Sequence, residues 1–362
     1  MPFSSVCFRT FEQSENLGRR RRCSLLSCSG RPRKSHKSPK NPVGTGPYVY
    51  KSFTPGQASV FTRNKNYWQS GLPHTDEVII TDYTNESSQV NALLSNQLDM
   101  VNALSTSSMR SVQSQGAKLL IAKGGGYNPF TMRVDQAPFN DQRVREAFKY
   151  LVDRQQMLKL VFDGLGTIGN DVFGLYDPEY DPSLSPRAYD PDKAKSLLKA
   201  ADQENLHVTL TTSTIAQGTV QMAEVLAQQA QSAGVTINIS NVPYPSYGAK
   251  YGSWLFSQDT LQYARYLTLC GITTVSHAPF NTTHFSDPHY DSLYQQAIAT
   301  LDTTKQKTIV YEMQRIDYTQ GGNIIPFFLT TIDGYAANVH GLVPSRTGFS
   351  LNNFDFKNVW LS

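Results

Sequence analysis

The amino-acid sequence predicts an α/β fold, and three observations carry that expectation. Strand and helix patterns alternate from residue 41 onward. One strand–helix–strand unit of about 33 residues reads as a βαβ crossover, which implies parallel strands covered by helices. The composition, 39% hydrophobic and 17% charged over 362 residues, is that of a chain able to bury real cores. It excludes a disordered chain or a coiled coil, and no apolar run is long enough for a transmembrane helix.

Taken in order, Glu77–Tyr83 reads as a strand. Val90, Leu93, Leu94 and Leu98 recur at helical spacing behind an N-cap at Thr84 or Asn85. A second strand over 117–122 ends at Gly124-Gly125-Gly126, where the backbone is free to turn. Asp141 and Asp153 each cap a helix, the second with Gln156 as capping-box partner. Pro178, Pro182 and Pro186 then enforce a loop. Asp190 caps a helix with Pro191 at its first position and Ala194, Leu197, Leu198 and Ala201 as its buried stripe. Val208, Leu210 and Thr212 alternate as a strand, a helix over 220–232 stops at Gly234, and Val235, Ile237 and Ile239 alternate again. Helices over 291–301 and 304–317 follow, and 323–329 reads as one buried apolar strand.

The first forty residues differ from the rest. They hold ten Lys and Arg against Glu12 and Glu15, and three of the four cysteines (Cys7, Cys23, Cys28). The remaining residues hold 23 basic and 27 acidic side chains, so the body is slightly acidic and gives no reason to expect nucleic acid as a partner. Arg19-Arg20-Arg21-Arg22 could belong to a basic arm, but the segment lacks hydrophobic periodicity. Only Cys23–Ser27 separates those arginines from Cys28, too few residues for the apolar core of a secretion signal. Residues 1–40 are expected to be a disordered head outside the fold.

No nucleophile elbow, Walker loop or dinucleotide fingerprint occurs. His277, His284 and His289 match no zinc spacing and read as surface histidines near a helix start, so no metal site is expected. Cys270 has no catalytic motif around it and reads as a small buried residue. The better clue is aromatic: Tyr244, Tyr247, Tyr251, Trp254, Phe256, Tyr263 and Tyr266 crowd one stretch. Such a stretch either walls a ligand site or packs helices on a sheet, and the sequence leaves both open.

Several ordered blocks together resemble the extracytoplasmic solute-binding proteins of ABC importers, in the oligopeptide/dipeptide/nickel-binding family. They are Pro42-Val-Gly-Thr-Gly-Pro-Tyr48, Ala92-Leu-Leu-Ser-Asn-Gln-Leu-Asp99, Pro138-Phe-Asn-Asp-Gln-Arg-Val-Arg-Glu-Ala147 running into Val152-Asp-Arg154, and Gly321-Gly-Asn-Ile-Ile-Pro326. The resemblance implies a type II periplasmic-binding-protein clamp of two lobes, with an interlobe cleft for a peptide-like solute, delivering its cargo to a membrane permease. It implies a periplasmic or extracytoplasmic location, no cofactor, and a monomer in the family's full-length form. It also implies that lobe I is incomplete, with 41–126 and 331–362 in lobe I and 127–330 in lobe II. Truncation would leave sheet edges exposed and promote aggregation. Residues 124–128 and 330–334 would be the two hinge crossings. Phe256-Ser257-Gln258-Asp259 is similar to the family's Trp-x-x-Asp element, with phenylalanine replacing tryptophan, which makes Asp259 the candidate partner of a peptide amino group. Asp259 could equally be a solvated loop acid. Tyr127, Asn128, Tyr251, Trp254, Phe256 and Tyr263 are candidate ligand contacts, and Arg265 a candidate for a ligand carboxylate. Two other classes stay open: a carboxylate-dependent hydrolase of peptides or sugar oligomers, and a nucleic-acid binder acting through the head.

Overall fold

The structure is a computed structural model that describes Ser5–Arg9 and residues 44–362. The chain divides into two compact units, Met1–Lys123 with Thr331–Ser362, and Gly124–Thr330. Among the described residues no helix is long and apolar enough to cross a membrane.

The first unit is built on one large sheet. Strands β2 (Tyr48–Thr54) and β3 (Ala58–Arg63) form a hairpin turned at Gly56, whose φ of +69° favours glycine. β4 (Glu77–Tyr83) pairs antiparallel with β3. α1 (Glu86–Leu94) follows, and Asn85 caps it by accepting from the Ser88 amide at 2.9 Å. β5 (Met100–Val101), α2 (Thr106–Ser114) and the edge strand β6 (Lys118–Lys123) complete the forward run. The returning strand Phe327–Tyr335, β13 in chain order, pairs antiparallel with β5 through Gly334 and Tyr335. Val78, Met100, Val339, Phe356 and Val359 form a core with Tyr48. Buried Asp333 ties this unit together, accepting from the amides of Ala103 (3.0 Å) and Leu351 (2.6 Å). Both donors have positive φ, so the carboxylate holds two strained loop residues in place.

One expectation fails here. Ser5–Arg9, expected outside the fold, form strand β1 between β4 and β5, antiparallel to both. β4 and β5 do not otherwise neighbour each other in the sheet, so the five residues supply backbone partners that two strand edges require. The arginine run and the rest of the head lie outside the described residues.

The second unit holds the predicted crossover. β9 (His207–Thr212), α6 (Thr219–Ala230) and β10 (Thr236–Asn241) form the βαβ element, with β9 and β10 parallel. The sheet order is β10-β9-β11-β7-β12, where β7 is Phe130–Met132, β11 Phe256–Gln258 and β12 Asn323–Ile324. β11 runs parallel to β9 and antiparallel to β7. The segment 323–329 is therefore not one strand: Pro326, without an N–H, separates β12 from β13.

Two cores flank this unit's secondary structure. α3 (Gln142–Tyr150), α4 (Arg154–Phe162), α5 (Pro191–Ala200) and α6 enclose the first, with Phe130, Phe139, Phe148, Leu226 and Phe256 inside. α8 (Tyr266–Thr273), α9 (Pro288–Ala299) and α10 (Thr303–Gln320) enclose the second, around Tyr127, Phe173, Tyr290, Met313 and Phe328. α10 starts where Asp302 caps the amides of Thr304 and Lys305, and it extends beyond the predicted end to Gln320. The short helix α7 (Tyr244–Ala249) bridges β10 to the loop before β11.

Candidate functional site

The family-like block from Pro138 to Arg154 works as a clamp. Arg145 donates to the carbonyls of Phe139 (2.7 Å) and Gln320 (2.8 Å), fixing α3 to the end of α10. Arg154 grips Asp171 through one nitrogen at 2.8 and 3.0 Å, and Arg187 reaches the same carboxylate at 2.8 Å. The two guanidinium groups hold Asp171 below the usual carboxylate range against its own burial. Arg187 also lies over the Tyr318 ring at 3.6 Å. Nearby, Asp317 accepts from Tyr266 at 2.5 Å and Tyr290 at 3.1 Å, and burial pushes it up to about 7. Lys149, donating to the Tyr318 carbonyl at 3.0 Å, is pushed down to about 7 by the same burial.

A different arrangement surrounds Asp259, immediately after β11. Its amide donates to the Pro129 carbonyl at 3.1 Å, which continues the β7–β11 pairing and fixes the residue's backbone. The residue is 8% exposed, so it is not a solvated loop acid. Its carboxylate accepts the Tyr251 hydroxyl at 2.5 Å and the Thr260 amide at 2.7 Å. Burial pushes its pKa up although both hydrogen bonds favour the charged form. Among the described residues it makes no ion pair.

Beneath it, Thr131 and Ser257 face each other at 2.9 Å across the β7–β11 pair. Thr212 donates to Gln258 at 2.5 Å, and Gln258 donates to the carbonyl of Thr219, the first residue of α6. Polar groups thus gather where the parallel strands β9 and β11 end, the edge at which open α/β sheets commonly present ligand sites. Sequence reading placed Thr212 only as a strand position and missed the polar roles of Ser257 and Gln258, because nothing in the three-residue strand β11 marks its polar face.

The candidate residues separate into distinct environments. Tyr251 and Asp259 meet directly. Tyr263 donates to Asp177 at 2.6 Å, and exposed Arg265 lies 3.7 Å from Glu179, so both engage an acidic loop instead. Asn128 is fully buried, with its amide nitrogen 3.4 Å from the Gln217 carbonyl. Trp254 stacks on Tyr247 at 5.9 Å and lines a shallow depression with His207 and Asn238, away from the groove beside Tyr251. Two candidates are corrected. Phe256 is wholly buried between Phe130, Phe139 and Phe148, and Tyr127 is wholly buried against Phe173 and Phe328. Their rings complete the two cores and have no surface left for a ligand. Among the histidines, His289 lies 2.8 Å from Glu312 and His284 2.8 Å from the Gly252 carbonyl. Cys270 is buried 3.1 Å from the Tyr290 hydroxyl, and burial pushes its thiol up.

Residues 28–292 match the family described as bacterial extracellular solute-binding proteins, family 5 Middle. The chain belongs to this family. The match reaches into the basic head, further than the resemblance read from residue 41 onward. Among curated family relatives, the glutathione-binding protein GsiB of Salmonella typhimurium is 25% identical over 339 residues, 88% of this chain. The chain spans 65% of that relative's length. Solved structures of similar fold include the ABC transporter substrate-binding protein CtaP of Listeria monocytogenes (TM-score 0.80, 16% identity, covering 89% of this chain and 67% of that one). The periplasmic binding protein DppA of Helicobacter pylori, in complex with the peptide STSA, aligns with a TM-score of 0.73 at 18% identity, covering 89% and 64%. The fold is thus the α/β type II architecture of family 5, and the family consists of solute-binding proteins.

Proposed function

We propose that this chain is the solute-capturing component of an ABC importer, working outside the cytoplasm and handing a small peptide-like solute to a membrane permease. On this reading it binds without chemical conversion and needs no cofactor. Asp259 would anchor the solute's amino group, with Tyr251 beside it. One observation carries the reading: Asp259 is a buried carboxylate that, among the described residues, is held by a hydroxyl and a backbone amide and by no cation. A desolvated carboxylate of that kind is best relieved by an ammonium that arrives desolvated with it. Family membership supports the role, and glutathione and the peptide STSA, named for two relatives, are both small solutes with an α-amino group.

Calorimetric titration tests it with the tripeptide Phe-Gly-Gly and its N-acetylated form. The free amine should bind and the acetylated peptide should not. Asp259→Asn removes the charge at nearly constant shape, and should weaken free-amine binding by about 3–5 kcal/mol, a few hundredfold or more. Equal affinity in wild type and variant would remove Asp259 from the site.

A further inference from the structure

Parallel strands are ordinarily covered on both faces, and the β9–β10 pair is not. Val208, Leu210 and Ile237 turn one face into the first core of the second unit. The alternate residues turn the other way, and His207, Thr209, Thr236 and Asn238 are exposed there. This open face carries a depression of about 330 Å³, the small end of the range for ligand sites. Its polar lining is His207, Thr209, Thr211 and Asn238, and its apolar lining is Pro138, Val208, Trp254 and Leu255. No Asp, Glu, Lys or Arg lines it; Lys250 lies over the Trp254 ring at 5.3 Å, outside the lining. Thr211 separates this place from ordinary wetted surface. It is only 6% exposed, and its hydroxyl has no hydrogen-bond partner among the described residues. A buried hydroxyl left unpaired is costly, and the depression is where a partner can reach it. The side chains of His207, Thr209 and Asn238 have no partner among the described residues either. Trp254, by contrast, is fixed: it stacks on Tyr247 at 5.9 Å, and its Nε1 donates to the Tyr247 carbonyl at 3.4 Å. With that N–H used, its contribution to the depression is apolar ring.

We propose that this depression is a second binding site, and that it takes a neutral hexopyranose ring. The lining has no charge to meet an ion, so the occupant is uncharged. Sugar hydroxyls both donate and accept, which suits a set made of two threonine hydroxyls, an amide and an imidazole. Thr209 and Asn238 stand in register on neighbouring strands, about 4.8 Å apart, so a single ring can meet both. Its C–H face would lie on Trp254 and Pro138. An extended peptide would instead pair its backbone along the free edge of β10, whereas the groups offered here are side chains on the face of the sheet. The inference does not use Asp259, which follows the far end of β11, about 16 Å along the chain from Trp254.

The test titrates the full 362-residue chain with the methyl pyranosides of glucose, galactose, mannose and N-acetylglucosamine, followed by saturation-transfer NMR. At least one should bind saturably in the millimolar range, and the open-chain polyol sorbitol should not. Thr211→Val keeps the shape and removes the buried hydroxyl, and it should weaken that sugar by about tenfold or more. Asn238→Ala, on the exposed face where folding does not depend on it, should weaken it in the same direction. Asp259→Asn should leave the sugar's affinity unchanged, and Phe-Gly-Gly should not displace it. No saturable binding of any of the four glycosides, or equal binding of sorbitol, overturns the site. Sugar binding that survives both Thr211→Val and Asn238→Ala, or that is lost in Asp259→Asn, places the sugar elsewhere and overturns it as well.

Discussion

Asp171 and Asp259 are buried carboxylates of the same unit, satisfied in opposite ways. Asp171 meets two guanidinium groups and the Ile325 amide, and those partners hold it ionised. Asp259 meets a phenol and one amide, and burial pushes it toward its neutral form. The first arrangement is complete in the folded chain. The second lacks a counter-charge, because no cation meets Asp259 among the described residues. Two sites of similar burial thus differ in kind: matched charge makes Asp171 a structural clamp, and the unmatched charge of Asp259 is where the proposed solute amine would bind.

The contrast is broken most forcefully by truncating each side in turn. Arg154→Ala leaves Asp171 buried with part of its compensation gone, and should destabilise the protein by about 3–5 kcal/mol. Asp259→Asn removes a charge that the fold does not compensate, so it should leave stability unchanged or slightly improved. Urea unfolding of the two variants beside wild type checks this. Comparable losses in both would make Asp259 one more structural carboxylate.

A second measurement turns on Asp317, the acid whose value burial raises to about 7. A carboxyl raised in the folded state contributes stability that is fully present below its ordinary range near 4 and lost as pH rises through about 7. Asp317→Asn should therefore gain on wild type between pH 4 and 7, by something on the order of a few kcal/mol, and the gap should level off above that window. Lys149, lowered to about 7, works in the reverse sense, its contribution being lost as pH falls through that value. Comparing variant with wild type at each pH isolates the carboxyl. A difference that does not vary with pH would mean Asp317 stays ionised throughout, matched like Asp171.

Much of the fold was legible because local chemistry and long-range packing agree. Asp190 followed by Pro191 announces α5, and its side chain caps the Lys193 amide at 2.9 Å as the pattern requires. Val208 and Leu210 alternate because β9 has one face in the core, and Gly234 ends its helix segment with a φ of +81°. The hairpin of β2 and β3 was missed because β2 buries little beyond Tyr48, so no alternation marks it. β1 was missed for a stronger reason: its register is set by β4 and β5, not by any pattern of its own. At the candidate site, Asp259 was legible through a family-like element. Phe256, three residues before it, was misread because an aromatic ring that walls a ligand and one that fills a core look alike in sequence. Thr131 and Ser257 acquire their meaning only when β7 and β11 pair.

Tyr263 lies between the two extremes, and Gly125 offers a way to classify it. The triple glycine does not use positive φ; Gly125 is small because a ring lies against it. A Cβ at that position would come within 2.5 Å of the Tyr263 ring, so Gly125→Ala must displace the ring. The same ring carries the hydroxyl that donates to Asp177, whose other oxygen accepts the Tyr266 amide at the start of α8. Displacement therefore strains a hydrogen-bonded junction as well as a packing contact. Overpacking of this kind typically costs about 1–3 kcal/mol. If Tyr263 is structural, Gly125→Ala should lower the melting temperature while leaving the affinity for Phe-Gly-Gly within about twofold of wild type. If it contacts the solute, affinity should fall as the ring moves, and Tyr263→Phe, which keeps the ring but loses the Asp177 bond, should restore neither. Stability falling alone puts Tyr263 with Asp171 among the residues whose demands the fold already meets.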